Sequence, residues 1–585
     1  MNVISDVVYI KMKSFLFCFR RAKYANLYLF VIFAGGVFLQ CVLFSWLAFH
    51  NIAISSLWKN PFYFVSFYLP KLSIALLLGS VVFLFRRKYW TIYASVFISI
   101  WILAEVIYYR STRVFITAES FALLKELRGF ESSIGMYLTP DLLLLLLPTL
   151  LLVGGIVLFD NRNRSLRAFF PALLCSMGLD MAAANIVARQ VAPDKSHFFF
   201  SCLQPDYCNT LNPWNPTICA VQYVSVLHSF YYTAVRLLCK PFEQPVTLSG
   251  ADINAIQAFC DTVWTPVTPS HPLVLILVES MESWAVRPDI MPNLYRFIQN
   301  HNVVYATRTK SQTLAGNSAD GQMLYNTGLL PIKEGVVANN YSRNVFPSLS
   351  DMYHTTAMIQ PDELSVWNQY QMNIAYGIDT ACVVPSSDDK ISFRILDSIT
   401  CGKYGYVLTI TIASHSPFTA RPHTSSLSLP DDMPANMRNY LQCLNYTDAC
   451  WGNLLQRIDS DSILHNSVVC FMGDHIIFDP IMRKEFQDYC DKSGMDYTPK
   501  DAYTAFVAYS PDLQESVRID QMTYQMDAYP TICHLIGADG YYWRGFGVNL
   551  SNTAALRHRT ITEQEAYNLS DKIIRANYFK DYFTK

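Results

Sequence analysis

LVLILVES occupies residues 273–280, and six apolar residues there lead directly into an acid, Glu279. A run that is apolar at every position is typical of a strand covered by helices on both faces, because both of its faces are then buried. Similar short runs alternate with helical patterns further along the chain: VVYATRT (303–309), TTAMIQ (355–360), YVLTITIAS (406–414), SVVCFMGD (467–474) and TAFVAYS (504–510). This alternation predicts an α/β domain with a doubly wound, mostly parallel sheet sandwiched by helices.

Reactive side chains follow several of these runs. Glu279 follows the first run, and His415 follows YVLTITIAS. The pair Asp474-His475 comes after SVVCFMG. Because ligands of a doubly wound sheet bind at the carboxyl ends of its strands, we expect these side chains to lie near one another. Two carboxylates, a histidine and an oxygen nucleophile are the groups with which one divalent metal activates a hydroxyl against a phosphate ester.

The candidate nucleophile is Ser318, in AGNSADG (315–321), just ahead of a helical pattern. At a helix start, free backbone N–H groups and the helix dipole favour a phosphate. A bound metal can lower the pKa of a serine hydroxyl and so make it a nucleophile. Two alternatives remain at this point. Ser318 could be an ordinary helix N-cap, or the nucleophile could be a neighbouring hydroxyl: Ser311, Thr313 or Thr327.

Glu279, Asp474 and His475, with the Ser318 oxygen, make a mostly hard set of metal ligands. Such a set suits manganese or magnesium, and zinc accepts it too. An acid at the end of a strongly apolar strand is costly unless its charge is compensated. For Glu279 the alternative to metal ligation is therefore a salt bridge.

Three further side chains are candidates for the substrate site. His415, in ASHSPF (413–418), could donate to a phosphate oxygen or protonate a leaving alkoxide, or it could be an ordinary turn histidine. Asp362 and Trp367, in QPDELSVWNQ (360–369), could line a substrate pocket or be surface residues of a turn.

The first 188 residues predict a membrane domain. Hydrophobic residues make up 52% of the chain, charged residues 16%, and the mean hydropathy is +0.19, values typical of a protein partly in lipid. Five apolar runs are long enough to cross a bilayer. They are residues 25–49, 61–85, 89–109, 140–159 and 167–188. The sequence therefore predicts a five-helix transmembrane domain over residues 1–188.

Basic residues predict the orientation of these spans. They are Lys11, Lys13, Arg20, Arg21 and Lys23 before the first span, Arg86, Arg87 and Lys88 between the second and third, and Arg162, Arg164 and Arg167 between the fourth and fifth. With five spans all three clusters fall on one side, which should be the cytoplasmic side. The N-terminus is then cytoplasmic, and the chain beyond about residue 190 lies outside. The net charge of -1 gives no basic field that would favour nucleic acid.

Residues 189–270 read as an extracytoplasmic connector. A helix at 221–240 should either lie on the bilayer surface or pack on the catalytic domain. Cys202, Cys208 and Cys219 stand close together in a Pro- and Asn-rich stretch. In an oxidising compartment some cysteines could pair, and the alternative is that they are buried small apolar residues. The catalytic domain then covers residues 271–545, and a polar tail with a helix near its middle covers 546–585.

The motifs resemble those of the lipoteichoic acid synthase family, which are phosphoglycerol transferases of the alkaline phosphatase and sulfatase superfamily. They are LVESMESW (277–284), GNSADGQ (316–322), ASHSPF (413–418) and MGDHI (472–476). The resemblance implies an alkaline-phosphatase-like fold over the catalytic domain. It implies metal binding by Glu279, Ser318, Asp474 and His475, with Ser318 as the nucleophile where the family usually has threonine. It also implies a substrate role for His415.

The pocket stretch resembles the family less closely. QPDELSVWNQ is similar to the family pattern H-x-D-x-x-x-x-W-x-R, which implies that Asp362 and Trp367 bind substrate. Gln360 and Gln369 stand where the family has His and Arg, and Gln322 replaces an acid. The missing Arg removes a bidentate contact to phosphate or glycerol. This departure bears on the identity of donor and acceptor more than on the phosphoryl chemistry.

The resemblance implies an enzyme of the bacterial cytoplasmic membrane with its catalytic domain outside. It would use one divalent metal ion, manganese first, with magnesium or zinc as alternatives. The donor would be a phospholipid, phosphatidylglycerol or phosphatidylethanolamine, and the acceptor a hydroxyl of an envelope glycan or glycolipid. Alternatives are a phosphoethanolamine transferase, a sulfatase-like hydrolase, or a scaffold that has lost catalysis. A sulfatase would need a C/S-x-P-x-R segment, whereas Ala-Asp-Gly follows Ser318.

Overall fold

The structure is a computed structural model with two compact units. It describes residues 25–50, 52–85, 88–127, 135, 137–158, 165–204, 206–211, 216–240, 246–261, 267–384, 389–399, 402–416, 418, 427–477, 480–495 and 502–582. The N-terminal unit contains the described residues up to 118 and from 135 to 240. The C-terminal unit contains residues 119–127 and those from 246 onward.

The described residues of the N-terminal unit form helices joined by turns and loops, and no strand is present among them. Its α-helices are α1 (Ala25–Phe49), α2 (Ser56–Lys59), α3 (Pro61–Ser80), α4 (Lys88–Thr112), α5 (Leu146–Leu158), α6 (Leu166–Val191), α7 (Tyr207–Leu211), α8 (Pro216–Cys219) and α9 (Val226–Cys239). Short 3-10 helices extend α3 at Val81–Leu84 and precede α5 at Pro140–Leu145, and one π-helical turn lies at Ala220–Val224.

Four of these helices are long and apolar enough to cross a membrane. They are Asn26–Phe49, Pro61–Leu84, Tyr89–Thr112 and Leu166–Val191. The remaining predicted span, 140–159, is a shorter apolar helix at Pro140–Ile156. Most of the basic residues used to orient the spans, namely Lys11 to Lys23, Arg86, Arg87, Arg162 and Arg164, lie outside the described residues.

A polar contact in the interior of this unit joins three helices. Gln40 of α1 donates from Nε2 to Ser99 Oγ of α4 at 2.6 Å and to Thr149 Oγ1 of α5 at 3.0 Å. Between apolar helices such side-chain hydrogen bonds favour association, because the polar groups find no other partner in hydrocarbon. The short helix α5 is therefore packed into the same bundle as the longer ones.

The helix predicted at 221–240 is present as α9, which begins at Val226. Val226 and Leu227 at the start of α9 are buried in one cluster with residues of α1 and α4. The Phe230 ring lies 4.9 Å from the Trp101 ring of α4. The N-terminal half of α9 is thus held against the N-terminal bundle. The amphipathic pattern in the sequence predicts an apolar face but does not say which surface covers it.

The C-terminal unit is built on one nine-stranded sheet. Its strands are β1 (Leu273–Val278), β2 (Val303–Lys310), β3 (Thr356–Gln360), β4 (Thr380–Val383), β5 (Tyr406–Ile410), β6 (Val468–Gly473), β7 (Tyr503–Tyr509), β8 (Val517–Ile519) and β9 (Thr523–Tyr524). The strand order is β4-β3-β5-β1-β6-β7-β2-β8, and β9 pairs with β2. β7 runs antiparallel to β6 and β2, and the other pairs are parallel. The predicted mostly parallel sheet is confirmed.

Helices accompany this sheet along the chain. They are α10 (Gly250–Gln257), α11 (Pro292–Asn300), α12 (Ser318–Thr327), α13 (Val337–Asn340), α14 (Gln369–Tyr376), α15 (Asp389–Ile399), α16 (Ala435–Arg457), α17 (Ser462–His465), α18 (Pro480–Ser493), α19 (Ala528–Leu535) and α20 (Glu563–Ala576). α20, from the stretch that the sequence presents as a polar tail, is part of this unit, since Ser570 Oγ donates to the Leu330 carbonyl at 2.5 Å. A 3-10 segment, Glu119–Leu127, also belongs here.

Three adjacent strands at the centre of the sheet position the candidate site residues. β1 is buried at every position and has β5 on one side and β6 on the other, both parallel to it. Parallel strands end at the same edge, so the residues that follow these three strands are brought together there.

Candidate active site

Glu279 and Asp474 are neighbours because β1 and β6 end in register. Val278 at the end of β1 pairs with Gly473 at the end of β6. Both acids are buried, with 3% and 1% of their surfaces exposed. The Asp474 backbone N–H donates to the Val278 carbonyl at 3.2 Å, which continues the sheet contact one residue beyond the strands.

Ser318 is the first residue of α12 and contacts Glu279. Its Oγ donates to Glu279 Oε2 at 3.0 Å. Asn317, the N-cap residue, has φ 42° and ψ -113°, an uncommon backbone conformation for a residue with a side chain. Gly321, one turn into α12, allows the helix to approach the Asp474 turn, because a Cβ at this position would lie 2.8 Å from the Asp474 carbonyl oxygen.

Glu279, Asp474 and His475 form a buried cluster of possible metal ligands. One ligand atom from each lies within 4.8 Å of the other two. His475 Nε2 is 3.3 Å from Glu279 Oε1 and 3.7 Å from Asp474 Oδ2. The other ring nitrogen, Nδ1, lies 2.9 Å from the Ile476 carbonyl oxygen. That contact fixes the ring orientation and directs Nε2 toward the acids, as is usual for a metal-binding histidine.

The charges of these three groups depend on one another. Burial opposes ionisation of Glu279, but the nearby His475 imidazole outweighs it and lowers the pKa of the Glu279 carboxyl. Burial and then the Glu279 charge raise the pKa of Asp474 to about 7. Burial disfavours a charged His475, but the two carboxylates raise its pKa to about 10. Without a metal, the cluster compensates its negative charge by retaining protons.

The donors present fit a divalent cation. Asp474 Oδ2 is buried and accepts no hydrogen bond from the described residues. Such an atom costs about 1–3 kcal/mol when it is left without a partner. A cation held by Glu279, Asp474, His475 and the Ser318 oxygen would satisfy it. Three oxygen donors and one imidazole form a mostly hard set, which agrees with manganese or magnesium and does not exclude zinc.

The remaining candidates line one pocket with Glu279 and Ser318. Asp362, Trp367 and His415 are all part of its wall. Asp362 is exposed at this site, and Trp367 is half-buried, with a φ of 51°. The structure therefore brings together all seven side chains singled out in the sequence.

Side-chain amides complete the polar part of this pocket. Gln322, Gln360 and Gln369 are lining residues. Gln360 Nε2 donates to the Asp362 carbonyl at 2.7 Å, and Gln369 Nε2 donates to Asn373 Oδ1 at 2.8 Å. Among the pocket-lining residues that the structure describes there is neither lysine nor arginine.

The rival hydroxyls lie elsewhere. Ser311 Oγ and Thr313 Oγ1 are 3.2 Å apart and contact each other, and Thr327 Oγ1 donates to the Met323 carbonyl at 2.7 Å. None of the three is among the described residues that line the pocket. Of the hydroxyls considered in the sequence, Ser318 alone contacts Glu279 among the described contacts.

Sequence reasoning missed the residues that position the acids. Ser280 donates from its backbone N–H to Asp474 Oδ1 and from its hydroxyl to Glu279 Oε1, both at 2.8 Å. Gln525 Nε2 donates to the Asp474 carbonyl at 2.7 Å. Ser280 could have been suggested by its place beside Glu279. Nothing in the sequence connects Gln525 to this site.

The chain matches two family models. Residues 12–208 match the N-terminal domain of lipoteichoic acid synthase, and residues 272–538 match the sulfatase domain. The chain therefore combines an N-terminal domain of the lipoteichoic acid synthase type with a sulfatase domain. The resemblance drawn from the sequence motifs is confirmed.

Curated relatives are distant in sequence. Lipoteichoic acid synthase 2 of Bacillus subtilis is 21% identical over 360 residues, which cover 54% of this chain and 54% of the relative. Lipoteichoic acid synthase of Staphylococcus saprophyticus is 24% identical over 278 residues, which cover 43% of this chain and 42% of the relative. The chain spans about half the length of the first of these relatives and less of the second.

Solved structures that resemble this chain are also distant from it in sequence. The lipoteichoic acid synthase LtaP of Listeria monocytogenes is 20% identical and covers 52% of this chain and 82% of its own, with a TM-score of 0.45. The lipooligosaccharide phosphoethanolamine transferase EptA of Neisseria meningitidis is 11% identical and covers 88% of this chain and 96% of its own, with a TM-score of 0.49.

Proposed function

We propose that this protein is a membrane-anchored, metal-dependent phosphotransferase. It moves the phosphoglycerol head group of a phospholipid, through a covalent intermediate on Ser318, to a hydroxyl of an envelope glycan or glycolipid. The observation that carries the proposal is the hydrogen bond from Ser318 Oγ to Glu279 Oε2, within a buried cluster that also contains Asp474 and His475. A hydroxyl that lines a pocket and contacts a group of metal-ligand side chains is equipped for attack on a phosphate ester once a metal is bound.

Glu279, Asp474, His475 and the Ser318 oxygen would hold the metal, which we assign as manganese, with magnesium or zinc as alternatives. A divalent cation at such a site supplies Lewis acidity that lowers the pKa of a hydroxyl and stabilises the charge that develops on phosphate oxygens.

In the first half-reaction Ser318 Oγ attacks the phosphorus of the phospholipid head group. An Oγ–P bond forms, and the bond from phosphorus to the diacylglycerol oxygen breaks. The hydroxyl proton passes to water, because the lowered pKa of Glu279 keeps its carboxylate ionised beside Ser318 Oγ. His415 gives a proton to the departing diacylglycerol oxygen. Its Nδ1 lies 2.6 Å from the Ser416 carbonyl oxygen, so Nε2 is the ring nitrogen that exchanges protons.

In the second half-reaction an acceptor hydroxyl attacks the same phosphorus. His415, now neutral, takes the proton of this hydroxyl, because the group that acted as an acid must act as a base in the reverse direction. The P–Oγ bond breaks, and Ser318 regains its proton. Asp362 and Trp367, which line the pocket, bind the head group and the incoming acceptor.

The path of the chain supports five membrane crossings. After α4 the chain contributes Glu119–Leu127 to the C-terminal unit, where Asn340 Nδ2 donates to the Glu119 carbonyl at 3.4 Å. It next forms α5 and α6 and then returns to the C-terminal unit. Glu119–Leu127 and the residues from 246 onward belong to one unit and therefore lie on the same side of the membrane. The helices between these two segments must then cross the membrane an even number of times. If α6 crosses, α5 crosses as well.

The length of this segment is sufficient for a crossing. The 3-10 helix Pro140–Leu145 has 6 residues and α5 has 13. At about 2.0 Å and about 1.5 Å per residue these give about 31 Å, close to the hydrocarbon thickness of a bilayer. With a cytoplasmic N-terminus, five crossings place the catalytic unit outside the bacterial cytoplasmic membrane, next to the phospholipid donor.

The proposal is tested by diacylglycerol release from phosphatidylglycerol. We expect Ser318→Ala to abolish release, because no oxygen remains to attack. Ser318→Thr is the matched control, since it restores a hydroxyl at the same position and should keep measurable turnover. Unchanged release by Ser318→Ala would reject the mechanism.

A second candidate function is transfer of phosphoethanolamine. The pocket presents a carboxylate, Asp362, and an aromatic ring, Trp367, and its described lining residues include no lysine or arginine. A carboxylate beside an aromatic face suits an ammonium group. Differently labelled phosphatidylglycerol and phosphatidylethanolamine supplied together would separate the two functions by the label that is transferred.

A further inference from the structure

Three cysteines of the connector lie in one buried cluster of the N-terminal unit. Cys202, Cys208 and Cys219 are 0%, 2% and 0% exposed. They share this cluster with apolar residues of α6, among them Ala184. The Tyr207 hydroxyl donates to the Ala184 carbonyl at 2.7 Å, which attaches α7 to α6. The three thiols are therefore held in a packed region rather than on a mobile surface.

Cys208 and Cys219 face each other. Cys208 is the second residue of α7, and Cys219 is the last residue of α8. The two helices are adjacent, and the two thiol groups are in hydrogen-bond contact. Two buried thiols in contact are candidates for a disulfide, whose formation depends on the distance between their Cβ atoms and on the direction of the two side chains.

Cys202 has a different environment. Its Sγ contacts the Asp180 carbonyl oxygen at 3.9 Å, and it lies in a cluster with Asp180 and His228. The Asp180 carboxylate already accepts hydrogen bonds from the Ser201 hydroxyl and the Leu203 N–H. Cys202 is close to Cys208 and Cys219, but its described hydrogen bond is to the Asp180 carbonyl oxygen and not to either thiol.

We propose that Cys208 and Cys219 form a disulfide in the mature protein. The proposal rests on the extracytoplasmic placement of the connector given above, since disulfides persist in oxidising compartments. The two thiols lose two protons and two electrons and become joined by an S–S bond. The electrons pass to the active disulfide of an extracytoplasmic thiol oxidase, which becomes a dithiol. The exchange takes place during folding, before the connector packs on α6 and buries both sulfurs.

The bond would stabilise the connector between α6 and α9. It closes a loop from Cys208 to Cys219, and such a closure restricts the unfolded chain more than the folded one. Serine at either position should therefore lower the melting temperature of the full-length protein, by about 5 °C. A reductant should lower the melting temperature of the wild-type protein by a similar amount and leave that of the serine variants unchanged.

The test is a thiol map of the full-length protein. Cells are quenched in acid, free thiols are blocked with N-ethylmaleimide under denaturing conditions, and the extracted protein is digested without reductant and analysed by mass spectrometry. We expect a linked peptide pair that contains Cys208 and Cys219, together with a blocked Cys202. Cys202→Ser is the matched control and should leave the linked pair intact.

Two results would overturn the proposal: N-ethylmaleimide on both Cys208 and Cys219, or a linkage that includes Cys202. The thiol map of the wild-type protein tests the disulfide even if the Cys208→Ser and Cys219→Ser variants fail to accumulate. Diacylglycerol release by the same preparation is measured in parallel. Active protein with free thiols refutes the disulfide alone, and linked protein that lacks activity counts against the proposed function alone.

Discussion

Ser280 joins the two acids of the candidate metal cluster. Its N–H donates to Asp474 Oδ1 and its hydroxyl donates to Glu279 Oε1. Its φ is 51°, a conformation that costs about 1–3 kcal/mol for a residue with a side chain. A strained residue between two buried acids is well placed to fix their separation, so we regard Ser280 as a positioning residue.

We expect Ser280→Ala to weaken metal binding by about 10- to 100-fold, the usual effect of losing a hydrogen bond that orients a ligand. The variant keeps the backbone N–H contact to Asp474 and removes only the hydroxyl bond to Glu279. The measurement is calorimetric titration of the full-length protein with Mn²⁺. Ser311→Ala is the control, because Ser311 contacts Thr313 away from the pocket. Equal affinities for both variants and the wild type would contradict the positioning role.

The sequence was informative about residues that stand out against their surroundings. Glu279 and the Asp474-His475 pair follow apolar strands. Burying a charged side chain at such a place is costly unless a partner or a ligand compensates the charge. Ser280 and Gln525 act through backbone groups and through contacts between distant segments. Such contacts depend on the folded path of the chain, so composition and spacing do not reveal them.

Among the elements, α12 determines how the proposed nucleophile, Ser318, meets the candidate metal ligands Glu279 and Asp474. It begins at Ser318 and passes close to the Asp474 turn at Gly321. The buried carboxylate of Asp320 accepts hydrogen bonds from the N–H groups of Leu314 and Gly316, both at 2.9 Å. These contacts hold the loop that leads into the helix, so the position of Ser318 follows from the packing of the whole element.

We expect Gly321→Ala to separate α12 from the Asp474 turn. The added Cβ would lie 2.8 Å from the Asp474 carbonyl oxygen and 3.2 Å from its Cβ, so one of the two segments must move. Such overpacking should lower the free energy of unfolding by about 1–3 kcal/mol and should lower diacylglycerol release more than tenfold. Gly250→Ala is the control, since a Cβ there meets nothing within 4 Å. Full activity in Gly321→Ala would show that α12 tolerates this shift.

Sequence patterns predicted long apolar elements better than short ones. Strands β1, β2, β3, β5, β6 and β7 coincide with the apolar runs, and β1 and β6 are fully buried. β4, β8 and β9 were missed. They are 4, 3 and 2 residues long, and β4 and β8 form the two ends of the strand order. Short edge strands lack a continuous apolar run because one side of each is not covered by another strand.

For the molecule as a whole, the proposed topology connects the proposed chemistry to a phospholipid substrate. A phospholipid head group stays at the bilayer surface, so an enzyme that uses it must present its pocket on that side. The segment Glu119–Leu127 belongs to the C-terminal unit even though it stands in the chain between α4 and α5. The charge pattern and this connection independently favour the same five-span topology.

We expect an epitope inserted at residue 163 to be protected from protease in intact spheroplasts and to be digested after permeabilisation. An epitope placed after residue 582 should be digested in both cases. Both results are expected if α5 and α6 each cross the membrane. Digestion of the epitope at residue 163 in sealed spheroplasts would mean that α5 does not cross.

The central claim is a covalent intermediate on Ser318, and the most direct measurement is the mass of the protein after reaction. The full-length protein is incubated with Mn²⁺ and a mixture of phosphatidylglycerol and phosphatidylethanolamine, quenched in acid, digested and analysed by mass spectrometry. We expect the peptide that contains Ser318 to gain one phosphoglycerol group, and the same peptide from Ser318→Ala to gain none. An adduct on another residue, or none on the wild-type protein while diacylglycerol is released, would contradict the account.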